Sequence, residues 1–403
     1  MSIYKRFGVE PVINVVGAWT MFGGALMEKE ALRAMEEAAK EAVRLDELQA
    51  AASKVIAEIT HAEAGFVTSG AAAGMTLSTA ACIAGFDVKK MNRLPDTTGI
   101  PNEIIIPWPH ISAYNHAFRA AGAKLVKVGT VSAFRPLSEA YMISRGDIET
   151  AITENTVAIA YTARQDGYPP LEEVAEIGHK YNIPVIVDAA PQVPPIENLH
   201  RFIDLGADLV CISGGKGICG PQASGILCGR RDLIASAVVQ MLDISGSFET
   251  WNPPVSLIPK EKFSDRPERG VGRGMKVSKE AIIGLLVALE NFTENKLARR
   301  TEHLRQLLEG IRMRLESVTG LEMTITEDRN VYPSLQIKID KQIAGKSAAE
   351  ISQKLKDGKP SIFVGDMYLQ QGVVSINSIN IDEKIASIVG ERLYTVFTGH
   401  HDS

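Results

Sequence analysis

The chain carries an amine and a carboxylate at the ends of two successive apolar segments. Lys216 follows the segment 208–212 within a Ser-Gly-Gly-Lys-Gly run (213–217), and Asp188 ends the apolar run 183–188. A lysine can hold pyridoxal 5'-phosphate as a Schiff base and move protons, while a carboxylate keeps the pyridine nitrogen protonated so that the ring accepts electrons. Singly, the carboxylate is equally compatible with a helix cap, and a loop lysine is usually solvated. Together, at strand ends where open α/β sheets bind ligands, the pair predicts a cofactor site.

A turn of small residues follows the first strand of the predicted sheet. It comes directly after the strand-like segment 65–68 and opens a helix. Backbone N–H groups at such a turn, together with the helix dipole, bind anions, although alanine-rich helix starts often only permit close packing. With the lysine and the carboxylate downstream, the turn is predicted to bind the cofactor phosphate, helped by one serine hydroxyl near the lysine. The predicted phosphate ligands are Ser69, Gly70, Ala71 and Ser213.

Two further polar side chains follow strands of the same predicted sheet. His110 comes after the strand-like segment 103–106, and Arg164-Gln165 follows the strand that ends at Tyr161. The histidine is predicted to stack on the cofactor ring or to protonate a leaving group; a loop histidine bonded to backbone is the alternative. Arg164 is predicted to approach the cofactor's phenolic oxygen or a substrate anion.

A basic, glycine-spaced loop precedes a long helix-like segment. Residues 270–279 contain Arg273 and Lys276. An arginine gives bidentate contacts to a phosphate or carboxylate and a lysine adds a point charge, so the loop is predicted to bind the substrate. A solvated linker before a helix capped by Ser278 is the alternative interpretation.

Strand-like and helix-like segments alternate from about residue 65 to residue 212 without tight hairpin turns. This alternation predicts right-handed crossovers and a mainly parallel sheet. The segment 224–228 follows after only a short loop, which indicates an antiparallel strand in that sheet. The predicted fold class is α/β, with a seven-stranded-type sheet, helices on both faces and a smaller α+β C-terminal domain.

Apolar periodicity predicts one continuous helical region over residues 28–59 and one long helix over 279–316. A Pro/Gly-rich stretch at 252–274 separates the alternating segments from the remainder of the chain. The predicted domains are an N-terminal arm and helix (1–60), a large cofactor-binding domain (61–275) and a small α+β domain (276–403).

Composition excludes several classes of protein. The net charge of −5 and pI near 6.0 argue against a general nucleic-acid binder, which would be basic. No apolar run reaches membrane-spanning length and the first residues lack the apolar core of a signal peptide, so the predicted location is the cytoplasm. The four cysteines show no Cys-x-x-Cys pairing, and His400-His401 belongs to a terminus that is expected to be solvated. No metal is predicted.

The lysine segment resembles that of a known enzyme family. Residues 213–225 (Ser-Gly-Gly-Lys-Gly-Ile-Cys-Gly-Pro-Gln-Ala-Ser-Gly) are similar to the S-G-x-K-x-x-x-G-P-Q-x-G block of the selenocysteine synthase-like group of fold-type I pyridoxal phosphate enzymes. Residues 13–17, 62–64 and 122–129 support the likeness. Residues 273–280 (Arg-Gly-Met-Lys-Val-Ser-Lys-Glu) look like its D-glucosaminate-6-phosphate ammonia-lyase branch in particular.

The resemblance implies roles for the residues above. Lys216 would be the Schiff-base lysine, Asp188 the pyridinium partner, and the predicted phosphate ligands would keep that role. The reaction implied is an α,β-elimination from a polar, anionic amino acid such as an amino-sugar acid, giving a 2-keto-3-deoxy acid and ammonia. Fold-type I enzymes usually build their active sites at a dimer interface, so a homodimer or a larger symmetric homo-oligomer is expected.

One departure from the family pattern leaves the substrate open. Many fold-type I enzymes bind the substrate carboxylate through an arginine after a strand like 360–364, but here Gly-Asp-Met (365–367) follows. Arg273 or Arg164 would then bind the carboxylate, or the substrate differs from the usual amino acid. The alternative functions are a selenocysteine synthase-like β-replacement transferase, an aminotransferase, and a non-catalytic scaffold that kept the fold.

Overall fold

The computed structural model describes residues 2–131, 141–164, 167–326 and 332–399. Gln165 and the His400-His401 pair lie outside the described residues. Within the described ranges, no helix combines the length and the apolar character needed to cross a membrane.

The strands are β1 Ile13–Val15, β2 Ala64–Thr68, β3 Glu103–Pro107, β4 Lys124–Val128, β5 Thr130–Val131, β6 Tyr141–Met142, β7 Thr156–Thr162, β8 Val185–Asp188, β9 Leu209–Ser213, β10 Gly225–Gly229, β11 Leu321–Thr326, β12 Ser334–Ile339, β13 Ile362–Val364 and β14 Val373–Asn377. The helices are α1 Ile3–Arg6, α2 Lys29–Ala38, α3 Leu45–Thr60, α4 Ala71–Ala84, α5 Val88–Arg93, α6 His116–Ala120, α7 Arg145–Ala151, α8 Leu171–Lys180, α9 Arg201–Asp204, α10 Arg231–Val239, α11 Lys279–Asn291, α12 Glu294–Arg314, α13 Lys341–Ala344, α14 Ala348–Lys356 and α15 Glu383–Thr398.

The chain divides into two compact units. The larger unit comprises Met27–Glu290, and the smaller unit combines Met1–Leu26 with Asn291–Ser403. Every side chain that the sequence analysis assigns to the cofactor or the substrate belongs to the larger unit.

A seven-stranded sheet forms the centre of the larger unit, in the order β2-β10-β9-β8-β7-β3-β4. All neighbours pair in parallel except β10, which pairs antiparallel with both β2 and β9. The predicted fold class, including the antiparallel strand, is therefore confirmed. Four strands (β2, β8, β9 and β10) are almost entirely buried and apolar, which is typical of a sheet covered on both faces.

The edge strand β2 is covered by side chains of helix α3. The Gln49 amide donates from Nε2 to the Val67 carbonyl (2.8 Å), and its Oε1 accepts from the Val67 N–H (2.9 Å). The Ser53 hydroxyl accepts from the Gly65 N–H at 3.1 Å. Backbone groups that an edge strand would leave free are thus satisfied, and this fixes the strand that leads into the predicted phosphate-binding turn.

Both long helical predictions correspond to two helices each. Residues 28–59 form α2 and α3, and residues 279–316 form α11 and α12. Arg44 and Thr293 are extended and begin the second helix of each pair. Arg44 pairs with Asp46 (2.6 Å) and Glu47 (2.9 Å), acidic residues in the first turn of α3. Acidic residues in a first turn favour a helix start, which explains the new helix after Arg44. The break at Thr293 is favoured because a β-branched residue is a weak helix former. Apolar periodicity detects neither effect.

The smaller unit is α+β, as predicted for the C-terminal region. Strands β11, β12 and β14 form a three-stranded antiparallel sheet. Strand β1 pairs in parallel with β13, from Ile13 opposite Ile362 to Val15 opposite Val364. The residues before α2 therefore join the C-terminal core through backbone pairing. That core contains Leu308, Leu335, Ile337, Val374, Val389 and Leu393.

Candidate active site

Parallel strands of the larger unit bring the predicted residues to one edge of the sheet. In the register, Thr162 of β7 lies opposite Asp188 of β8, which lies opposite Cys211 of β9. Ser213, at the end of β9, lies opposite Gly225 of β10, and Gly225 also lies opposite Thr68 of β2. The carboxyl ends of these parallel strands therefore form one surface, which is where open α/β sheets bind ligands.

Asp188 is a buried carboxylate with spare acceptor capacity. Its side chain is 6% exposed, and among the described residues its carboxylate accepts one hydrogen bond, from the Ala190 N–H to Oδ1 at 3.1 Å. Burial raises the pKa of Asp188, and the Ala190 N–H and the Lys216 ammonium oppose that rise. Burying a carboxylate without a cationic or N–H partner costs free energy. The site therefore favours a ligand that supplies such a partner.

Lys216 lies close enough to Asp188 for their charges to interact. Burial lowers the pKa of this half-buried lysine, and the Asp188 carboxylate raises it by a smaller amount. Among the described residues, the Lys216 amine has no hydrogen-bond partner. A desolvated lysine with an unoccupied amine and a lowered pKa is suited to nucleophilic attack on a carbonyl group.

The glycines around Lys216 serve the packing of the loop itself. A Cβ on Gly217 would collide with the Val193 carbonyl and Pro194, and one on Gly215 would collide with the Gln222 backbone. At these two positions glycine is therefore required by close approach of the protein itself. The space that a side chain would fill is already occupied by neighbouring protein backbone, which holds the lysine loop rigidly.

The predicted phosphate-binding turn opens the 14-residue helix α4. Gly70 precedes the helix with φ +136°, a conformation that L side chains rarely adopt, and Ser69 is half-buried. A Cβ on Gly225 would lie 2.6 Å from the Gly70 carbonyl carbon and 2.8 Å from the Ala71 nitrogen. The turn thus lies directly over β10, with Ser213 on the neighbouring strand. This geometry suits anion binding at a helix N-terminus.

Substitution Gly225→Ala is expected to displace the turn. The methyl group would force the Gly70–Ala71 backbone away from β10, at a cost of about 1–3 kcal/mol for an overpacked site. Cofactor affinity, measured by fluorescence titration with pyridoxal 5'-phosphate, should fall along with the free energy of unfolding. In the control Gly146→Ala the new methyl would lie 3.7 Å from the Ser144 hydroxyl, so neither quantity should fall. Unchanged cofactor binding by Gly225→Ala would contradict the assigned turn.

His110 is buried, and both of its ring nitrogens contact backbone. Its Nδ1 accepts from the Thr162 N–H at 2.9 Å, and its Nε2 lies 3.1 Å from the Tyr168 carbonyl, which can only accept. The ring is therefore the neutral Nε2–H tautomer. It is 1% exposed and contacts the Tyr161 ring at a centroid distance of 4.2 Å. This geometry favours the backbone-bonded alternative; stacking on the cofactor and proton donation stay predictions.

The burial of His110 predicts a pH dependence of stability. Burial, together with the charge of Arg164, lowers the pKa of His110 to about 4, against the hydrogen bond to Tyr168. The unfolded chain binds this proton below pH about 6.5, so stability is full above that pH and is lost as the pH falls towards 4, by up to about 3 kcal/mol. In urea unfolding of cofactor-free protein, His110→Phe should reduce the dependence of the free energy of unfolding on pH, that is, its slope between about pH 4 and 6.5. Substitution of the exposed His116 by Phe should leave the slope unchanged.

The three predicted substrate-binding cations lie in different surroundings. Arg164 is exposed at the same sheet edge, close enough to lower the pKa of His110. Arg273 pairs with Asp243 at 2.8 Å, in a single-turn helix that packs against Leu77 of α4. With Lys276 it lines a cavity of about 510 Å³ together with apolar residues and Asp243. No contact among the described residues brings Arg273 or Lys276 to Lys216, so their substrate-binding role stays a prediction.

Sequence reasoning missed Thr162. Its N–H donates to the His110 ring and its hydroxyl donates to the His110 carbonyl at 2.8 Å. It ends β7 directly opposite Asp188, and the next residue, Ala163, donates its N–H to the Asp188 carbonyl at 2.9 Å. Thr162 therefore connects the histidine loop to the carboxylate strand. Its place directly after the predicted strand that ends at Tyr161 was the signal that could have revealed it.

The residues at this edge fit pyridoxal 5'-phosphate. The amine of Lys216 and the carboxylate of Asp188 both have capacity for a partner, and they interact with each other across the site. The turn at 69–71 offers backbone N–H groups at the start of a long helix, on the same side of the sheet. An amine, a buried carboxylate and backbone N–H groups at a helix start are chemically complementary to an aldehyde, a ring nitrogen and a phosphate.

Residues 110–356 match the model of the aminotransferase class-V family, which is more than half of the chain. This chain belongs to the aminotransferase class-V family. The predicted cofactor, pyridoxal 5'-phosphate, is confirmed by this membership and by the relatives.

Two curated proteins resemble this aminotransferase class-V member over almost its whole length. The 5'-C-glycyluridine monooxygenase-decarboxylase of a Streptomyces species is 32% identical, over 98% of this chain and 92% of the relative. The D-glucosaminate-6-phosphate ammonia lyase of Salmonella typhimurium is 27% identical over 97% of each chain. A solved structure of D-glucosaminate-6-phosphate ammonia-lyase has a TM-score of 0.81 and 26% identity and covers both chains fully. The predicted likeness to the selenocysteine synthase-like group and its ammonia-lyase branch is confirmed.

Proposed function

We propose that this chain is a pyridoxal 5'-phosphate-dependent lyase that eliminates a β-hydroxyl group and the amine from a polar, anionic amino acid. The products are a 2-keto-3-deoxy acid and ammonia, and an amino-sugar acid is the proposed substrate. The observation that carries the proposal is the pairing of half-buried Lys216 with buried Asp188 at the carboxyl edge of the sheet. The full-length similarity to an ammonia lyase supports the reaction type.

Each residue of the site has a proposed task. When bound, pyridoxal 5'-phosphate supplies an electron sink for the charge that develops at the substrate Cα. Lys216 would hold the cofactor through its amine, and the same amine, when free, would remove the Cα proton of the substrate. Asp188 holds the proton on the pyridine nitrogen, because a buried carboxylate stabilises a neighbouring positive charge. The remaining cofactor ligands are Ser69, Gly70, Ala71 and Ser213.

His110 is proposed to act as a positioning residue. Its two backbone hydrogen bonds tie the segment after β3 to the end of β7 and to the Tyr168 loop. A neutral imidazole with a pKa of about 4 holds no labile proton at neutral pH beyond the one donated to Tyr168. Arg164, exposed beside it, is proposed to bind the anionic group of the substrate, with Arg273 and Lys276 as the other candidates.

A second candidate function is an oxygen-dependent decarboxylation of a glycyl nucleoside. It is favoured by one observation, the higher identity to the Streptomyces monooxygenase-decarboxylase (32%, against 27% for the ammonia lyase). The same lysine and carboxylate would serve it, because charge also develops at Cα when a carboxylate leaves as carbon dioxide. The two candidates differ in products: ammonia and a keto acid for the lyase, carbon dioxide with uptake of oxygen for the other.

The products released by cofactor-loaded protein decide between these candidates. D-glucosaminate 6-phosphate and related amino-sugar acids should yield ammonia and a keto acid in equal amounts, without oxygen uptake. Reversible transfer of the amine to added keto acids, with no ammonia release, would overturn the elimination. Oxygen uptake and carbon dioxide release with a glycyl nucleoside would support the second candidate. A colourless protein that binds no cofactor would overturn both.

We also propose that the enzyme is a symmetric homo-oligomer, at least a dimer, located in the cytoplasm, with neither nucleic acid nor membrane as a partner. The first 26 residues expose large apolar side chains within the smaller unit. Large apolar side chains that are exposed together in one segment are typical of interaction sites, and a second copy of the chain would cover them. These side chains are Ile3, Tyr4, Phe7, Trp19, Met21 and Leu26.

A further inference from the structure

Three metal-ligating side chains converge on the surface of the larger unit, away from the site described above. The Nδ1 atom of His61 lies 2.9 Å from Oδ1 of Asp204, and Nδ1 of His200 lies 2.7 Å from Oδ2 of the same carboxylate. The two imidazole rings stack, with centroids 4.3 Å apart and 27° between their planes. Ligand atoms of all three residues lie within 4.8 Å of one another. One carboxylate is thus shared by two histidines.

This cluster lies at the opposite end of the sheet from Lys216. His61 ends α3 just before β2, and Asp204 ends α9 just before β9. Since β2 and β9 are both antiparallel to β10, they run in the same direction, and both segments reach the amino edge of the sheet. A five-residue strand spans about 16 Å. The cluster is therefore separate from the candidate active site.

The charge and placement of the cluster favour a cation. One oxygen of the Asp204 carboxylate faces each imidazole, and an aspartate carboxylate ordinarily carries a negative charge at neutral pH. His61 directly follows the 16-residue helix α3, where the helix dipole favours positive charge. His61 also has φ +56°, in the left-handed region, and this backbone directs its ring to α9.

We propose that His61, His200 and Asp204 bind a transition-metal dication such as Zn²⁺, with water in the remaining position. Two imidazoles and one carboxylate are a ligand set that Zn²⁺ accepts in tetrahedral geometry. Metal–ligand bonds of about 2.0–2.1 Å place tetrahedral donors about 3.3 Å apart. The present separations of 2.9 and 2.7 Å are those of hydrogen bonds. Each pair must open by about 0.5 Å, which rotation of two surface rings allows. Each neutral ring then carries its proton on Nε2, which leaves the Nδ1 lone pair for the ion.

The proposed ion would connect segments that are far apart in sequence. It would hold the end of α3 against α9, immediately before two strands of the central sheet. A ligand that binds only the folded state raises its stability in proportion to the logarithm of its concentration. The ion is therefore expected to stabilise the larger unit without taking part in catalysis.

Zn²⁺ binding to the full-length, cofactor-loaded protein tests the proposal. All measurements use a background with His400→Ala and His401→Ala, which removes the terminal histidine pair as a competing ligand. Calorimetric titration should show one Zn²⁺ per chain in the presence of excess Mg²⁺, which prefers six oxygen ligands. His61→Ala, His200→Ala and Asp204→Asn should each weaken that binding at least about tenfold. Added Zn²⁺ should raise the Tm of the parent and leave the Tm of these variants unchanged.

His179 provides a matched control, because it is another surface histidine paired with a single carboxylate, Asp208, at 3.4 Å. His179→Ala should bind Zn²⁺ like the parent. With Cu²⁺ as a probe, electron paramagnetic resonance should show two coordinated imidazole nitrogens in the parent and one in His61→Ala. The proposal is overturned if the parent takes up no Zn²⁺ at 100-fold molar excess, or if the His61 and His200 variants bind it as tightly as the parent does. Zinc binding and the cofactor's absorption spectrum are measured separately. A failure of the proposed zinc site is therefore distinguishable from a failure of the proposed lyase function.

Discussion

Lys216→Ala is expected to abolish the visible absorption of the lysine-bound cofactor and to lower the rate of ammonia release by at least about 10³-fold. The variant lacks both the covalent attachment point and the amine that removes the Cα proton. Because one atom, Nζ of Lys216, has both roles, the loss of activity is large. In the wild type, borohydride reduction followed by peptide mass spectrometry should find the cofactor attached to residue 216. The variant should retain non-covalent cofactor binding, because the turn at 69–71 and Asp188 remain.

A surface lysine controls for the loss of charge. Lys180→Ala removes an exposed lysine that pairs with Glu149 at 3.0 Å, and both spectrum and rate should stay at wild-type values. If Lys216→Ala kept the wild-type spectrum and more than a tenth of the activity, another lysine would hold the cofactor. The assignment of Lys216 as the Schiff-base lysine would then be wrong.

Asp188→Asn is expected to lower the rate of ammonia release by roughly 10²–10³-fold, the range seen when one preorganised electrostatic contact is removed. The amide keeps the hydrogen bond from the Ala190 N–H and the side-chain shape, but it no longer holds a proton on the ring nitrogen. The electron sink is weakened while the covalent attachment is retained. The visible spectrum should therefore shift without disappearing.

The same substitution is expected to leave the cofactor-free protein at least as stable as the wild type at neutral pH. Burial raises the pKa of Asp188 in the folded state above that in the unfolded chain. The cost to stability is therefore absent below the unfolded pKa, grows as the pH rises from the unfolded to the folded pKa, and is complete above the folded pKa. The neutral amide avoids that cost. Urea unfolding of both proteins without cofactor, at pH 3 and pH 8, measures the difference, which should be larger at pH 8 because pH 3 lies below the unfolded pKa of about 3.9.

Asp208 is the matched control for Asp188. It is a carboxylate of the same sheet with similar burial (5% exposed, against 6%), but it lies at the amino edge. Its Oδ2 accepts from the Val185 N–H at 2.8 Å, and it pairs with Arg230. Asp208→Asn should lower stability and leave the spectrum unchanged, the reverse of Asp188→Asn. Equal effects of the two substitutions on the spectrum would show that burial alone, and not position at the carboxyl edge, matters.

The sequence by itself determined the large-scale fold and the two central residues. Apolar runs that alternate with helical segments specify a parallel sheet, because strands covered on both faces must be apolar throughout. Strand ends then specify where a ligand binds, so Asp188 and Lys216 could be placed at one edge from their positions alone. The short loop before β10 was enough to predict an antiparallel strand.

Features that depend on distant partners were decided only by tertiary structure. The tautomer of His110 is set by hydrogen bonds to Thr162 and Tyr168, more than 50 residues away, and its neutral state results from burial. No local pattern reveals either effect. The pairing of β1 with β13 and the meeting of His61 with His200 depend equally on packing between segments. Local propensity sets which elements form, whereas long-range contacts set their ends and the ionisation of the side chains between them.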